Sequence, residues 1–344
     1  MIGKTNVVTM TDRAAERLEV EGDMACGPET APDLHGEGQT GTELDHFLDH
    51  LDDIDRDHRH FERYGPDGDD PHLMEQSGFD VPLVFELGNI RSLLANWAFV
   101  QSAMSIDDPD RLMLDYTRQM MGFLLFNASP GAIEIIGLGG GSLAKYCYKY
   151  LPNSLITAVE IDPEVIAVGD QFLMPPEGDR FEIICDDGAE FVRRDTRSCD
   201  ILLVDGFDKD GQPAQLCSSE FYRDCHSRLN PGGVFVINLC DHHWKHASIL
   251  SRIRECFGLV IDLPVKIGMN RVIFAFKDER PCLDPGEIQR IARNLDQVHP
   301  ISFLSLAKEV LDRVEALDQN PVSRTERDCR ASQSLSIALL WSVD

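Results

Sequence analysis

The chain has 344 residues, of which 43% are hydrophobic, so it is long enough for about two domains with a sizeable core. Its formal net charge of −27 at pH 7 argues against nucleic acid or an anionic membrane as a partner, because phosphate binding needs a basic surface. A cationic substrate is compatible with this charge, although solubility alone also explains it.

The acidic charge is concentrated near the N-terminus. Residues 1–80 hold 6 Lys and Arg against 21 Asp and Glu, a net charge of −15. High net charge with few apolar residues is typical of disorder, so residues 1–78 are predicted to form a disordered acidic extension. Charged residues interrupt any apolar core of a signal peptide, and no run approaches the ~20 apolar residues of a membrane span. We therefore expect a cytoplasmic location.

The predicted elements begin beyond this extension. Strands are expected at 81–88 and 97–104 and a helix at 112–126, which together form an N-terminal segment at 79–128. A C-terminal helical segment is expected at 281–344, with helices at 284–298 and 303–317. The ten cysteines include no C-x-x-C pair, so no metal site is predicted.

Between these segments, apolar strand runs alternate regularly with helical patterns. Strands are predicted at 132–138, 155–161, 181–185, 199–204, 234–240, 259–265 and 271–277, and helices at 142–151, 163–172, 188–194, 219–229 and 243–257. Continuous apolar strands that alternate with helices indicate a mostly parallel sheet covered on both faces. The last two strands are separated by a short Gly-containing turn, which predicts an antiparallel edge strand.

A glycine-rich turn follows the first of these strands. Gly137, Gly139 and Gly141 lie at alternate positions, and Ser142 begins the next helix. Glycines let the backbone approach a ligand closely, and a helix N-terminus favours a polar or anionic group. The fingerprint of NAD-binding proteins would need glycine at position 142. The spacing instead predicts a class I S-adenosylmethionine-methyltransferase-like Rossmann fold for residues 129–280, and a bare structural turn is the alternative.

Acidic residues follow the next two strands. Glu160 and Asp162 end the second strand, where a carboxylate accepts hydrogen bonds from the ribose hydroxyls of an adenosine cofactor. Asp187 and Gly188 follow the third strand, where a carboxylate can accept a hydrogen bond from the adenine amino group. An exposed strand end is the alternative for Glu160, and helix capping is the alternative for Asp187.

Two further carboxylates, Asp205 and Asp208, follow the fourth strand. The carboxyl edge of an open α/β sheet is where ligands bind, so this pair could hold and deprotonate an amine. Ordinary loop acids are the alternative. Acidic or Gly-rich motifs at four successive strand ends are stronger evidence for a site than any one of them.

Taken together, the motifs resemble those of the spermidine synthase (polyamine aminopropyltransferase) family over more than half of the chain. The matching segments are Gln101-Ser, Tyr116-Thr-Arg, Gly137-Leu-Gly-Gly-Gly-Ser-Leu-Ala144, Ala158-Val-Glu-Ile-Asp-Pro163, Asp187-Gly-Ala-Glu-Phe191, Asp205-Gly-Phe-Asp208 and Leu229-Asn-Pro-Gly-Gly233. The resemblance implies transfer of an aminopropyl group from decarboxylated S-adenosylmethionine to putrescine or a related amine. It also implies a polyamine as partner and a homodimer.

The resemblance assigns a role to each candidate. Glu160, with Asp162 beside it, would hold the ribose, and Asp187 would hold the adenine. Asp205 would be the base that activates the attacking amine, and the substrate would be bound by Asp208, Tyr116 and Gln101.

The chain departs from the family pattern at informative places. Ser142 stands where the family usually has Asp near the aminopropyl amine, and Lys209 stands where the family has Pro. Two alternatives therefore stay open: a methyltransferase that uses ordinary S-adenosylmethionine, and a catalytically weakened nucleotide-binding relative. Ser142 favours these alternatives, whereas the pair Asp205 and Asp208 favours aminopropyl transfer.

Overall fold

The computed structural model describes residues 7–9, 82–96, 99–194, 197–208, 211–240, 243–266, 270–278 and 283–319. Most of the predicted acidic extension and the last part of the predicted C-terminal segment lie outside these described residues.

A small sheet forms the N-terminal part. Its strands are β1 (Val7–Thr9), β2 (Leu83–Leu87), β3 (Ile90–Asn96) and β4 (Phe99–Ser105), in that order across the sheet. β1 runs parallel to β2, and its residues come from within the predicted acidic extension. β2 and β4 correspond to predicted strands, whereas β3 has no predicted counterpart. β2 and β3 form a hairpin whose turn includes Gly88 at φ +56°.

A short helical stretch leads from the small sheet to the main body. Helix α1 (Asp115–Met120) continues into a 3-10 turn at Met121–Leu125, where the sequence predicts one helix over 112–126. Gly122 lies in this turn, and a Cβ there would come within 2.9 Å of the Phe274 ring. The turn therefore packs tightly on the main sheet, at a position that leaves no room for a larger side chain.

The main sheet has seven strands in the described part of the chain. They are β5 (Ala132–Ile136), β6 (Leu155–Glu160), β7 (Phe181–Cys185), β8 (Cys199–Val204), β9 (Leu229–Cys240), β10 (Leu259–Pro264) and β11 (Asn270–Phe276). Their spatial order is β7-β6-β5-β8-β9-β11-β10. The first five of these are paired in parallel, and β11 is antiparallel to both β9 and β10. This arrangement confirms the predicted mostly parallel α/β sheet with an antiparallel edge.

Helices cover the main sheet on both faces. They are α2 (Ser142–Tyr150), α3 (Pro163–Ala167), α4 (Gly188–Arg194), α5 (Ser219–Arg228), α6 (His243–Cys256), α7 (Pro285–Leu295) and α8 (Phe303–Gln319). Successive strand residues point to opposite faces, so Ile201 and Leu203 pack into one buried cluster while Leu202 and Val204 pack into another. Burial of both faces explains why these strands are apolar throughout.

Two predicted boundaries differ from those observed. The predicted helix at 163–172 is divided in the structure: α3 ends at Ala167, and a 3-10 turn, Gly169–Phe172, follows and ends where Leu173 adopts φ +55°. Strand β9 begins at Leu229, five residues before the predicted strand at 234–240, and its pairing with β8 shifts register between Cys199 and Ile201. Within the described residues, no helix combines the length and apolar character that crossing a membrane requires.

Candidate active site

The glycine-rich turn lies against the backbone that carries Asp205. Gly137, Gly139 and Gly141 have φ values of +93°, +51° and +67°, a region that glycine enters without steric cost. A Cβ on Gly137 would lie 2.1 Å from the backbone oxygen of Asp205, so no side chain fits between the two segments. The predicted nucleotide turn and the predicted base are therefore neighbours.

Space remains beside Gly139. A Cβ there would meet only the Cβ of Ser102, at 3.8 Å, whereas a Cβ on Gly141 would collide with Met174. A ligand could thus approach the backbone at Gly139 closely. Ser142 begins α2, and its hydroxyl lies 3.2 Å from the hydroxyl of Ser102 on β4. A hydrogen bond thus joins the small sheet to the first residue of α2, directly after the glycine turn.

Glu160 holds the same turn from the side of β6. Its Oε2 accepts a hydrogen bond of 2.8 Å from the Leu138 N–H, and its Oε1 accepts one of 3.0 Å from the Asp162 N–H. Asp162 in turn caps α3 by accepting a 2.9 Å hydrogen bond from the Glu164 N–H. A carboxylate offers about four acceptor sites, so Glu160 keeps capacity for ribose hydroxyls.

Asp187 is observed as a helix cap. Its Oδ1 accepts hydrogen bonds from the Ala189 and Glu190 N–H groups, at 2.7 and 3.3 Å. Gly188 is tightly packed, because a Cβ there would lie 2.2 Å from a methyl carbon of Ile136. Capping uses only one carboxylate oxygen of Asp187, so the predicted contact with adenine is compatible with it.

Asp205 lies at the end of β8, held on both carboxylate oxygens. Tyr116 donates its hydroxyl proton to Oδ2 at 3.1 Å, and the Asn238 side-chain amide donates to Oδ1 at 2.9 Å. Burial raises the pKa of Asp205 to about 6, although the hydrogen bonds from Asn238 and Tyr116 partly oppose that rise. The carboxylate is therefore a stronger base than an exposed aspartate.

Tyr116 is the second titratable group of this pair. Burial and the adjacent Asp205 carboxylate raise the pKa of the Tyr116 phenol well above its usual value. The phenol keeps its proton near neutral pH and donates it to Asp205. Its oxygen lone pairs are consequently left to accept a hydrogen bond from another donor, as an ammonium group would provide.

The other two predicted substrate-binding residues lie nearby in the sequence but not in this hydrogen-bonded group. Asp208 has an exposed side chain, and its backbone exchanges two hydrogen bonds with the backbone of Gly211. Gln101 is partly buried on β4, where the pairing with β3 shifts register and the regular alternation of side chains is interrupted. Among the described residues, no group of three or more His, Cys, Asp or Glu side chains is placed to hold a metal ion.

Comparisons with known proteins agree with this architecture. The spermine/spermidine synthase domain model matches residues 113–266. A polyamine aminopropyltransferase of Chromobacterium violaceum is 44% identical over 209 residues, which cover 60% of this chain and 80% of the relative. The chain belongs to the spermine/spermidine synthase family.

Two more distant likenesses concern the fold and the competing activity. A solved structure of a probable spermidine synthase from Corynebacterium glutamicum superposes with a TM-score of 0.54 at 24% identity, over 62% of this chain and 83% of that one. An eEF1A lysine and N-terminal methyltransferase of Bos taurus is 29% identical over 181 residues, which cover 49% of this chain but 26% of the relative. The first supports the Rossmann-like fold, and the second matches only a minor part of a longer protein.

In this spermine/spermidine synthase family member, the sequence patterns do not point to Asn238, although it contacts Asp205 directly. One signal exists: Asn238 is the polar residue inside the apolar run Val234–Cys240, near the carboxyl end of a strand. A buried polar side chain at that edge of an α/β sheet is a candidate site residue. Its partner Asn270 has no such signal, because it stands next to the predicted turn and not inside an apolar run.

Proposed function

We propose that this protein transfers an aminopropyl group from decarboxylated S-adenosylmethionine to putrescine or a related small amine. The observation that carries the proposal is the Asp205 carboxylate, which is held by Tyr116 and Asn238 and belongs to a residue whose backbone lies directly against the glycine turn at Gly137. Its setting would place a base next to a bound nucleotide. Membership of the family and the aminopropyltransferase name of the relative from Chromobacterium violaceum support the same activity.

The nucleotide would bind along the carboxyl edge of β5, β6 and β7. The backbone at Gly139 is open to a ligand, and Glu160 retains acceptor capacity for the ribose hydroxyls. Asp187 would accept a hydrogen bond from the adenine amino group through the oxygen that does not cap α4. This arrangement would leave the sulfonium end of the nucleotide on the side of the glycine turn that faces Asp205.

The proposed reaction is a direct displacement. The neutral amine nitrogen uses its lone pair to form a bond to the carbon next to the sulfonium sulfur. The bond from that carbon to sulfur breaks, its electron pair neutralises the sulfur, and methylthioadenosine leaves. Asp205 takes the proton that the ammonium form of the amine must lose, and later releases it to water.

The pKa of about 6 suits Asp205 to this role. An alkylammonium has a pKa near 10.4, so an amine at neutral pH is almost wholly protonated and cannot attack. A carboxylate with a raised pKa accepts the proton more readily than an ordinary aspartate and is still ionised at pH 7. General base catalysis contributes about 10²–10⁴-fold, and holding the two reactants together contributes further.

Two further residues would select the amine. Asp208 would bind the distal ammonium of a diamine from its exposed position three residues beyond Asp205, and Gln101 would contact the substrate from β4. We further propose that the protein acts in the cytoplasm as a homodimer on this small-molecule substrate, without nucleic acid or a membrane as partner.

A product analysis tests the proposal. The full chain is incubated with putrescine and either decarboxylated or ordinary S-adenosylmethionine, and the products are identified by mass spectrometry. Methylthioadenosine together with spermidine is expected, and the Asp205→Asn variant should form neither at a comparable rate. If neither nucleotide is consumed by the folded wild-type protein, the proposed activity is wrong and a nucleotide-binding role is favoured.

Methyl transfer is the second candidate, and Ser142 is the observation that favours it. Ser142 contributes a neutral hydroxyl beside Ser102, where the family pattern has an acid that would repel the carboxylate of ordinary S-adenosylmethionine. Formation of S-adenosylhomocysteine in the same assay would support this candidate.

A further inference from the structure

A chain of two amides extends from Asp205 into the protein. The Asn238 side-chain nitrogen donates to Asp205 Oδ1 at 2.9 Å, and the Asn270 side-chain nitrogen donates to Asn238 Oδ1 at 3.0 Å. Asn238 lies on β9 and is only 1% exposed, and Asn270 begins the neighbouring strand β11. Two adjacent strands thus contribute to the hydrogen bonding of one carboxylate.

The chemistry of these groups permits only one direction of hydrogen bonding. An ionised carboxylate accepts hydrogen bonds and cannot donate them, so Asn238 must turn its NH₂ group toward Asp205. The carbonyl oxygen of Asn238 then faces the other way, toward Asn270. Asn270 must therefore also present its NH₂ group, and it does. If that donor were absent, the buried amide of Asn238 could turn over and place its oxygen against the carboxylate.

The backbone and the second carboxylate oxygen are held as well. Gln212 donates its side-chain N–H to the backbone oxygen of Asn238 at 2.8 Å, and Tyr116 occupies the Asp205 Oδ2. With a donor on each oxygen, rotation of the carboxylate is restricted, and its remaining lone pairs keep a constant direction. Among the described residues, Tyr116 is the titratable side chain that the structure places against Asp205.

We propose that Asn238 is a positioning residue for Asp205 and that Asn270 fixes the direction in which the Asn238 amide faces. The catalytic consequence of this inference rests on the proposed function, in which the oriented Asp205 carboxylate receives the proton of the amine. The effect of the two amides on the protonation of Asp205 can be measured without substrate.

The test is an NMR titration of the full-length protein labelled with ¹³C in its aspartate carboxyl groups. The Asp205→Asn variant identifies the Asp205 signal by its disappearance. Asn238→Leu keeps the approximate shape of the side chain but removes the donor, and a hydrogen bond to the charged form favours ionisation. The midpoint of the Asp205 titration should therefore rise by about one pH unit in Asn238→Leu.

Asn270→Ala separates the outer amide from the inner one. This variant should raise the same midpoint by less than Asn238→Leu does, because Asn238 remains but its direction is no longer fixed. Since Asn270 acts only through Asn238, adding Asn270→Ala to Asn238→Leu should cause no further shift. An additional shift of full size in the double variant would contradict the role given to Asn270.

Ser154→Ala is the matched control, because it removes a different buried hydrogen bond, from the Ser154 hydroxyl to the Pro130 backbone oxygen. It should lower the melting temperature and leave the Asp205 midpoint unchanged. An unchanged midpoint in folded Asn238→Leu would overturn the proposal.

Kinetics then connect the titration to turnover. In the aminopropyl transfer assay, kcat of Asn238→Leu should fall by roughly 10- to 100-fold at its pH plateau, with a smaller change in KM for the amine. The acidic limb of its kcat/KM profile should move upward together with the NMR midpoint. If the wild-type protein shows no transfer, the proposed function fails, while the NMR result still decides whether the amides act on Asp205.

Discussion

At the scale of single residues, Asp205 combines a catalytic gain with a cost in stability. Burial raises its pKa to about 6, above the value of about 3.9 expected in the unfolded chain. Between these values the folded protein binds more protons than the unfolded one, so this group makes the free energy of unfolding fall as the pH rises through that window. Above pH 6 the full penalty of the buried charge is present.

Asp205→Asn should therefore make the protein more stable while it removes activity. At pH 7.5 the free energy of unfolding should rise by about 3 kcal/mol, and the difference from wild type should disappear as the pH is lowered from 6 to 4. Turnover should fall by about 10²- to 10⁴-fold. Urea unfolding across this pH range and the product assay provide both measurements. An Asp205→Asn variant that is less stable than wild type at pH 7.5 would show that the buried charge of Asp205 does not destabilise the folded protein.

Residues at strand ends could be predicted to different degrees. Glu160, Asp187 and Asp205 follow apolar strands, and the carboxyl ends of parallel strands meet at one edge, so their proximity follows from the sequence pattern. The contact between Asn238 and Asn270 could not be predicted in this way. It depends on the antiparallel pairing of β9 with β11, whose register no local pattern reveals.

At the scale of elements, the segment after α3 shows how tertiary contacts change a predicted helix. The 3-10 turn at Gly169–Phe172 has its last carbonyls bound by cations, since Arg91 donates to the Gln171 backbone oxygen and Lys145 donates to that of Phe172. The Phe172 ring would collide with a Cβ on Gly140. The turn is thus packed against the glycine loop, and apolar periodicity alone cannot predict this contact.

Leu173 follows that turn in the left-handed region, at φ +55°, with 53% of its surface exposed. Leu173→Gly should leave the free energy of unfolding nearly unchanged, because relief of about 1 kcal/mol of left-handed strain offsets the ~0.5–1 kcal/mol that glycine costs through the entropy of the unfolded chain. Leu155→Gly is a matched control, since Leu155 is 55% exposed but lies in strand β6. It should lower stability by about 0.5–1 kcal/mol. Equal effects of the two substitutions in urea unfolding would rule out backbone strain at Leu173.

Lys145 joins α2 to two other elements from a buried position. Its ammonium donates to the Phe172 backbone oxygen at 2.8 Å and contacts the Met104 sulfur at 3.0 Å. Burial lowers the pKa of Lys145 to about 8. Between pH 8 and the unfolded value near 10.4, the unfolded chain binds more protons, so this group makes stability rise with pH.

Lys145→Met removes this titration while keeping an unbranched side chain. The free energy of unfolding of the wild type, relative to the variant, should increase by up to about 3 kcal/mol between pH 7.5 and 10.5. Lys149→Met, at a more exposed position of the same helix, is the control and should show no such increase. If the free energies of unfolding of wild type and Lys145→Met differ by the same amount at every pH, the buried charge of Lys145 does not destabilise the folded protein.

At the scale of the whole molecule, the alternation of strands and helices predicts the α/β sheet and its antiparallel edge, but not the small sheet in full. Strand β3 follows β2 after a two-residue turn that contains Gly88, and this turn is a hairpin signal in its own right. The apolar residues Leu93 and Leu94 of β3 pack on opposite faces of the small sheet, into different buried clusters. Short strands with such mixed burial have weak periodicity, which limits what the sequence can predict.

The net charge of −27 leads to a last prediction about the molecule as a whole. A field that attracts a dication raises its association rate and is screened by salt, since the Debye length is about 10 Å at 0.1 M ionic strength. We expect kcat/KM for putrescine to fall by roughly 10-fold between low and high ionic strength, with kcat unchanged. A monoamine of similar length should show a smaller salt dependence.

The position of the charge should matter more than its total. Asp208→Asn and Asp278→Asn each remove one negative charge, the first three residues from the candidate base and the second just beyond β11, where it binds the Gly232 N–H at the opposite edge of the main sheet. Because screening limits the reach of a charge, Asp208→Asn should weaken the salt dependence of kcat/KM and raise KM for putrescine, whereas Asp278→Asn should change neither. Stopped-flow or steady-state rates over a salt series measure both. Equal effects of the two substitutions would show that the overall charge, rather than the acids at the strand ends, attracts the amine.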